Sequence, residues 1–132
     1  MKALDIDSQP CLIHTAGTPK AVLIQLTARH ERKTIDSELS LIEQGSQMGF
    51  VFVGIDLQQW ALSLMPWADE AVARDPEVGR HAIDTLDYVT RQLLPYIYNR
   101  YGQLPCILGG YSLGGLFSLW AASECPLFDA VA

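Results

Sequence analysis

The stretch CILGGYSLGGLFSLWAA, residues 106–122, decides the fold. It opens with a short apolar run, typical of a strand buried on both faces of a parallel sheet, and it continues into an apolar segment of helical length. Between the two lies Gly110-Tyr111-Ser112-Leu113-Gly114, a G-x-S-x-G pattern. A serine on so sharp a strand-to-helix turn needs small residues two positions before and after it, and Gly110 and Gly114 meet that need.

This pattern predicts chemistry at Ser112. The turn presents the serine hydroxyl at the carboxyl edge of the sheet, beside the N-terminus of the next helix, where the helix dipole favours a developing oxyanion. The backbone N–H of Leu113 is one expected oxyanion donor, and Thr27 or Ala28, after an earlier strand, is expected to supply the second. The alternative is a purely structural or phosphate-binding glycine turn, but neither G-x-x-x-x-G-K-[ST] nor G-x-G-x-x-G matches.

Outward from this turn, the apolar periodicity predicts the element order β-β-α-β-α-β-α-β. Asp75-Pro76 is expected to begin the longest helix, and Pro95 to kink it near its end. The order favours an α/β fold, a mostly parallel, doubly wound sheet with helices on both faces. Strands are expected at residues 11–14, 21–26, 50–57, 106–111 and 128–132, and helices at 34–48, 75–97 and 113–123.

Length and composition narrow the class of protein. The 132 residues, 49% hydrophobic and 18% charged, indicate one globular domain over residues 1–132. That is short for a doubly wound enzyme, so we expect the domain to be incomplete at its C-terminus. A net charge of -6 disfavours nucleic acid and anionic membrane as partners. The three cysteines lie in no metal-binding spacing and no signal peptide is apparent, so we expect no metal, no cofactor and a cytoplasmic location.

The chain resembles the α/β-hydrolase serine esterases, and more narrowly small bacterial esterases of the esterase D and enterochelin-esterase type. The resemblance covers an N-terminal portion and implies hydrolysis of small carboxylic esters or thioesters by a Ser-His-Asp triad, with Ser112 as the nucleophile. It rests on AVLIQLTARH (21–30), LLPYIYNRYG (93–102) and ILGGYSLGGLFSLWAA (107–122), with LMPWADEAV (64–72) as a weaker echo.

The chain departs from this family after Ser112. The family places an acid and then a histidine after the nucleophile, whereas this chain has no histidine there. Only Glu124 and Asp129 follow as acids, and Asp129 is predicted to lie at the mouth of the next strand. His30, in a loop at the carboxyl edge, is a candidate base, with a solvated loop residue as the alternative.

We therefore expect the acid and base to lie outside this sequence, and the chain alone to be weakly active or inactive. The competing hypothesis is a non-catalytic binding or interaction domain that keeps the turn as scaffold, because an unassisted serine is a poor nucleophile.

Two further features concern ligands and partners. Trp60 and Trp67 lie between a strand and a helix at the predicted ligand edge, and indicate either a pocket wall for a small-molecule ester or a hydrophobic plug. The last predicted strand has no partner after it, so a homo-oligomer formed through this exposed strand is expected.

Overall fold

The computed structural model describes residues 1–132 and contains a six-stranded sheet. The strands are β1 Lys2–Ile6, β2 Gln9–Ala16, β3 Pro19–Ala28, β4 Gly49–Leu57, β5 Cys106–Gly110 and β6 Ala130–Val131. Their spatial order is β1-β2-β4-β3-β5-β6. Strands β1, β2 and β4 pair antiparallel, whereas β4, β3, β5 and β6 pair in parallel. The predicted mostly parallel α/β fold is therefore confirmed, with an antiparallel hairpin added at one edge.

The helices are α1 Arg32–Gly45, α2 Trp60–Leu64, α3 Ala82–Tyr88, α4 Leu94–Tyr101 and α5 Leu113–Glu124. A 3₁₀ turn, Arg29–Glu31, precedes α1, and a π-helical turn joins α3 to α4. In that π turn the N–H of Leu94 donates to the carbonyl of Val89. Pro95, which has no N–H to donate, follows at once in the first turn of α4. The disturbance expected at Pro95 therefore takes the form of a π turn.

Strand β4 separates two apolar clusters, because its side chains alternate between the faces of the sheet. Phe50 and Phe52 point to one face and pack with Ile35 and Leu39 of α1. The larger cluster lies on the other face, beneath α2 to α5, and includes Val51, Val53, Ile55, Leu93, Ile97 and Phe117. The near-continuous apolar run of this strand follows from burial on both sides. No helix of the chain combines the length and apolar character that crossing a membrane requires.

Some predicted boundaries were wrong. The longest helical segment begins at Ala82, because Asp75 uses its Oδ1 to accept the N–H of Glu77 at 2.9 Å in a separate turn. Gly79, with φ +99°, then lies in a left-handed region that interrupts any helix. Strand β1 was not predicted, since most of its residues are exposed at the sheet edge and form no apolar run. Strand β6 is limited to two residues, where five were expected.

Candidate active site

Ser112 has a strained backbone conformation at the junction of β5 and α5. Its φ is 55° and its ψ is -112°, a combination that costs a residue other than glycine about 1–3 kcal/mol. Strand β5 ends at Gly110 and helix α5 begins at Leu113, so the whole reversal takes two residues. The structure thus places Ser112 on a sharp strand-to-helix turn, with the serine exposed to solvent.

The glycines around Ser112 are a steric requirement of this turn. A Cβ atom on Gly110 would lie 2.8 Å from the Cα of Gly114, which is too close for any side chain. A Cβ atom on Gly114 would lie 3.2 Å from the ring of Trp60, so this position is tight as well. The G-x-S-x-G spacing therefore follows from how closely the strand and the helix approach each other.

The first turn of α5 places a free backbone N–H group beside Ser112. As the first residue of that helix, Leu113 has an N–H with no intrahelical acceptor in reach. The next N–H, of Gly114, donates to the carbonyl of Tyr111 at 2.9 Å and tightens the first turn. Ser112 accepts the N–H of Leu116 with its carbonyl at 3.1 Å, while its hydroxyl makes no capping bond. The positive end of α5 and the Leu113 N–H thus lie beside the serine.

A second backbone N–H group near the turn lies at the end of β3. The N–H of Val22 donates to the carbonyl of Pro105 at 2.8 Å, so alternate residues of β3 direct their N–H groups toward β5. By this alternation the N–H of Ala28 also points toward β5. The pairing of β3 with β5 ends at Leu26 and Gly110, however, where β5 turns away. The N–H of Ala28 therefore faces the strand-to-helix turn with no strand to accept it.

A carboxylate accepts the hydrogen bond that a neighbouring strand would otherwise accept. Oε2 of Glu31 accepts the N–H of Ala28 at 2.6 Å. Thr27 differs from its neighbour, since by alternation its N–H is directed toward β4, and its Oγ1 donates to the carbonyl of Ile55 at 2.8 Å. Of these two residues, only Ala28 directs its N–H toward β5. Sequence reasoning missed Glu31, although a glutamate three residues after the N-cap position fits the N3 half of a capping box.

The remaining predicted site residues are placed differently from one another. Trp60 is half-buried on α2, beside Gly114, and packs against the larger core cluster. Trp67, 49% exposed, lies in the loop after α2, where the backbone approaches Gly79. His30 is exposed on the 3₁₀ turn. Tyr111 is 75% exposed and lines an open groove of about 290 Å³, together with Leu23, Gln25, Ile42, Ile107 and Ala132.

The aspartates near the ends of the strands bind groups other than histidine. Asp129 accepts the N–H of Cys106, the first residue of β5, so it lies at the opposite end of that strand from Ser112. Asp56, at the end of β4, is 9% exposed and forms an ion pair with Arg32 at 3.4 Å from Oδ2 to Nε. Its Oδ1 is buried without a hydrogen-bond partner. Neither carboxylate is bonded to a histidine.

Comparison with known proteins supports the fold through structure. No protein-family model and no curated protein matches the chain. The enterochelin esterase from Shigella flexneri superposes with a TM-score of 0.70 at 19% identity, over 98% of this chain and 34% of that one. The siderophore hydrolase EstA from Aspergillus nidulans gives 0.65 at 20% identity, over 92% and 52%. A zinc-bound cold-adapted esterase from an Arctic intertidal metagenomic library gives 0.60 at 15%, over 98% and 55%.

These similarities concern the fold. The chain spans between about a third and just over half of the length of these solved structures. At such low identity a shared fold does not by itself transfer an activity. The chain thus has the mostly parallel α/β fold that its sequence indicated, and it shares that fold with a portion of an enterochelin esterase and of a siderophore hydrolase.

Proposed function

We propose that this chain is the N-terminal portion of a serine hydrolase that acts on small carboxylic esters or thioesters, with Ser112 as the nucleophile. The observation that carries this proposal is the positive-φ conformation of the exposed Ser112, between Gly110, where an added Cβ would overlap Gly114, and Gly114, where it would crowd the ring of Trp60. Strain of this kind is retained where it aims a side chain at a ligand. The esterase and siderophore-hydrolase names of the structural neighbours support the same reaction class.

In the proposed mechanism Oγ of Ser112 attacks the carbonyl carbon, and the π electrons move onto the carbonyl oxygen. The N–H groups of Leu113 and Ala28 stabilise that oxyanion. A histidine oriented by a carboxylate, both outside this chain, takes the hydroxyl proton and passes it to the leaving alcohol or thiol as the C–O or C–S bond breaks. Water then releases the acyl group from the serine by the same route. Trp60, Trp67 and His30 are proposed to flank the ester.

We further propose that residues 1–132 form one domain that a further part of a hydrolase completes. Strand β6 pairs only with β5, and its outer edge is open to another strand. In the isolated chain this edge is proposed to pair with that of a second copy. Light scattering on a concentrated sample tests this: a dimer or larger species supports the pairing, and a clean monomer contradicts it.

Labelling with a fluorophosphonate probe tests the nucleophile. We expect Ser112→Ala to abolish labelling and Ser123→Ala, which removes an exposed hydroxyl from the same helix, to preserve it. Turnover of a short-chain aryl ester by the chain alone is expected to be feeble. Labelling that survives in Ser112→Ala would refute the assignment. A folded chain that never reacts would mean that the turn is intact but lacks its base, and the reaction would then have to be sought in a longer form of the protein.

A further inference from the structure

We propose that Glu31 is a built-in competitor for the oxyanion donor Ala28. In the resting chain its carboxylate occupies the donor that a reacting ester requires, so the side chain must leave before the oxyanion can bind. This inference rests on the proposed function, because it concerns the regulation of the same site.

The geometry of the contact supports a strong interaction. Ala28 is 5% exposed, so its N–H has little access to water and needs an acceptor within the protein. Glu31 provides one at 2.6 Å, at the short limit of charge-assisted N–H···O bonds. The 3₁₀ turn Arg29–Glu31 reverses the chain directly after β3, so the side chain of Glu31 lies back against the end of that strand.

The occupied donor lies at the end of β3, on the side from which β5 turns toward Ser112. The N–H of Ala28 points toward β5 but lies two residues beyond Leu26, the last residue of β3 that pairs with β5. Beyond that pair β5 has already turned into the Ser112 loop. A carboxylate oxygen there carries the same sign of charge, and accepts the same hydrogen bond, as the oxyanion of a tetrahedral intermediate.

The carboxylate of Glu31 forms no ion pair with any of the basic residues that flank it in the sequence. The adjacent Arg32 is bonded to Asp56, and none of the ion pairs of the chain includes Glu31. An arriving oxyanion would therefore meet both an occupied donor and a like charge. A helix-capping role explains the bond to Ala28, but it leaves the two acceptors competing for one N–H.

Rates of fluorophosphonate labelling test this competition. Labelling forms an Oγ–P bond at Ser112 and expels fluoride, while the hydroxyl proton passes to the solvent, and it develops negative charge on the phosphoryl oxygen. We expect Glu31→Ala to label on the order of tenfold faster than the natural chain, and Glu31→Gln a few-fold faster. Glu124→Gln removes the same charge from an exposed position on α5 and is expected to label at the natural rate. Rates in both Glu31 variants that equal or fall below the natural rate would overturn the inference.

A second readout does not depend on the reactivity of Ser112. The amide proton resonance of Ala28, measured by ¹H–¹⁵N NMR, is expected to move upfield in Glu31→Gln and further in Glu31→Ala. Added acetate, a stable carboxylate probe, should then shift this resonance in the variants but leave it unchanged in the natural chain. An Ala28 resonance that ignores acetate in both variants would refute the competition. A response to acetate in a chain that never labels would support the competition, and the nucleophile would then be tested separately in a longer form of the protein.

Discussion

The carboxylate of Asp129 accepts the backbone N–H of Cys106 at 2.8 Å, and the carbonyl of Cys106 accepts the N–H of Asp129, also at 2.8 Å. This reciprocal pair ties the segment entering β6 to the first residue of β5. Because Cys106 is fully buried, water cannot easily replace the carboxylate. The start of β5, and with it the direction from which the chain reaches Ser112, depends on this contact.

Removing the carboxylate should destabilise the fold. We expect Asp129→Ala to lower the free energy of unfolding by about 1–3 kcal/mol, because it leaves a buried N–H without an acceptor. Asp129→Asn keeps an acceptor oxygen and should cost less. Urea unfolding measures the difference, with Glu124→Ala as an exposed control on the same connection. An Asp129→Ala midpoint equal to that of the control would show that the pair contributes nothing.

A methyl group at Gly110 should be far more harmful than one at Gly45. At Gly110 the added carbon would overlap the backbone of Gly114, and the resulting backbone shift is expected to cost about 1–3 kcal/mol or more. At Gly45, in the last turn of α1, no atom lies within 4 Å of the new carbon. Gly45→Ala is therefore expected to stabilise the chain by about 0.4–1 kcal/mol. Thermal unfolding of the two variants compares them directly, and equal effects would contradict the steric argument.

Stability should fall at alkaline pH. Burial, with a smaller contribution from Asp129, raises the pKa of the Cys106 thiol from 9.0 to about 12. Burial likewise raises the pKa of Cys11 and of Tyr88, which share a hydrogen bond. Each group keeps its proton in the folded state at a pH where the unfolded chain has lost it. The unfolded state is therefore favoured increasingly as pH rises above about 9.

Urea midpoints between pH 7 and pH 11 test this prediction. The decline should be shallower in Cys106→Ala, since that variant lacks one of the titrating groups. A midpoint that stays constant through pH 10 would contradict it.

His81 should titrate above its ordinary pKa of 6.5. A hydrogen bond to Asp84 and a second to Glu77, each 2.9 Å long, raise the pKa of the imidazole, because both carboxylates favour its charged form. The stabilisation from this cluster is fully present below pH 6.5 and is lost as pH rises through the raised value. NMR titration of the ring protons measures the shift, which Asp84→Asn should reduce. A midpoint at or below 6.5 in the natural chain would refute the expectation.

The parts of the fold that follow from local pattern were predictable from the sequence. Strands β3, β4 and β5 and helices α1 and α5 have long apolar runs or clear periodicity, and the structure confirms them. Strand β1 was missed because an exposed edge strand needs no apolar run, and its pairing with β2 depends on the hairpin between them. The start of α3 was misplaced because Asp75 and Pro76 fit a helix N-terminus as well as a turn, and Gly79 resolves the ambiguity only in its folded conformation.

The candidate site was likewise predictable where it depends on local pattern. The turn at Ser112 requires glycines at set positions, so the sequence alone could locate it. The contact between Glu31 and Ala28 has a local signal in the three-residue spacing of a capping box, but its place beside the turn depends on where β5 leaves the sheet. Where β5 turns away, one N–H group of β3 has no strand to accept it. Only the three-dimensional register identifies the residue that carries this N–H.

The central position of β3 also has a consequence for the time course of folding. Both of its neighbours follow it in the chain, β4 by about 30 residues and β5 by 84, as the pairs Val22–Val51 and Val22–Cys106 show. Contacts of such sequence separation form slowly, because a long loop must close before they stabilise anything. During synthesis β3 therefore remains without one partner until β5 has left the ribosome. One edge of this central apolar strand stays unpaired in that interval, and chaperone dependence should be greatest then.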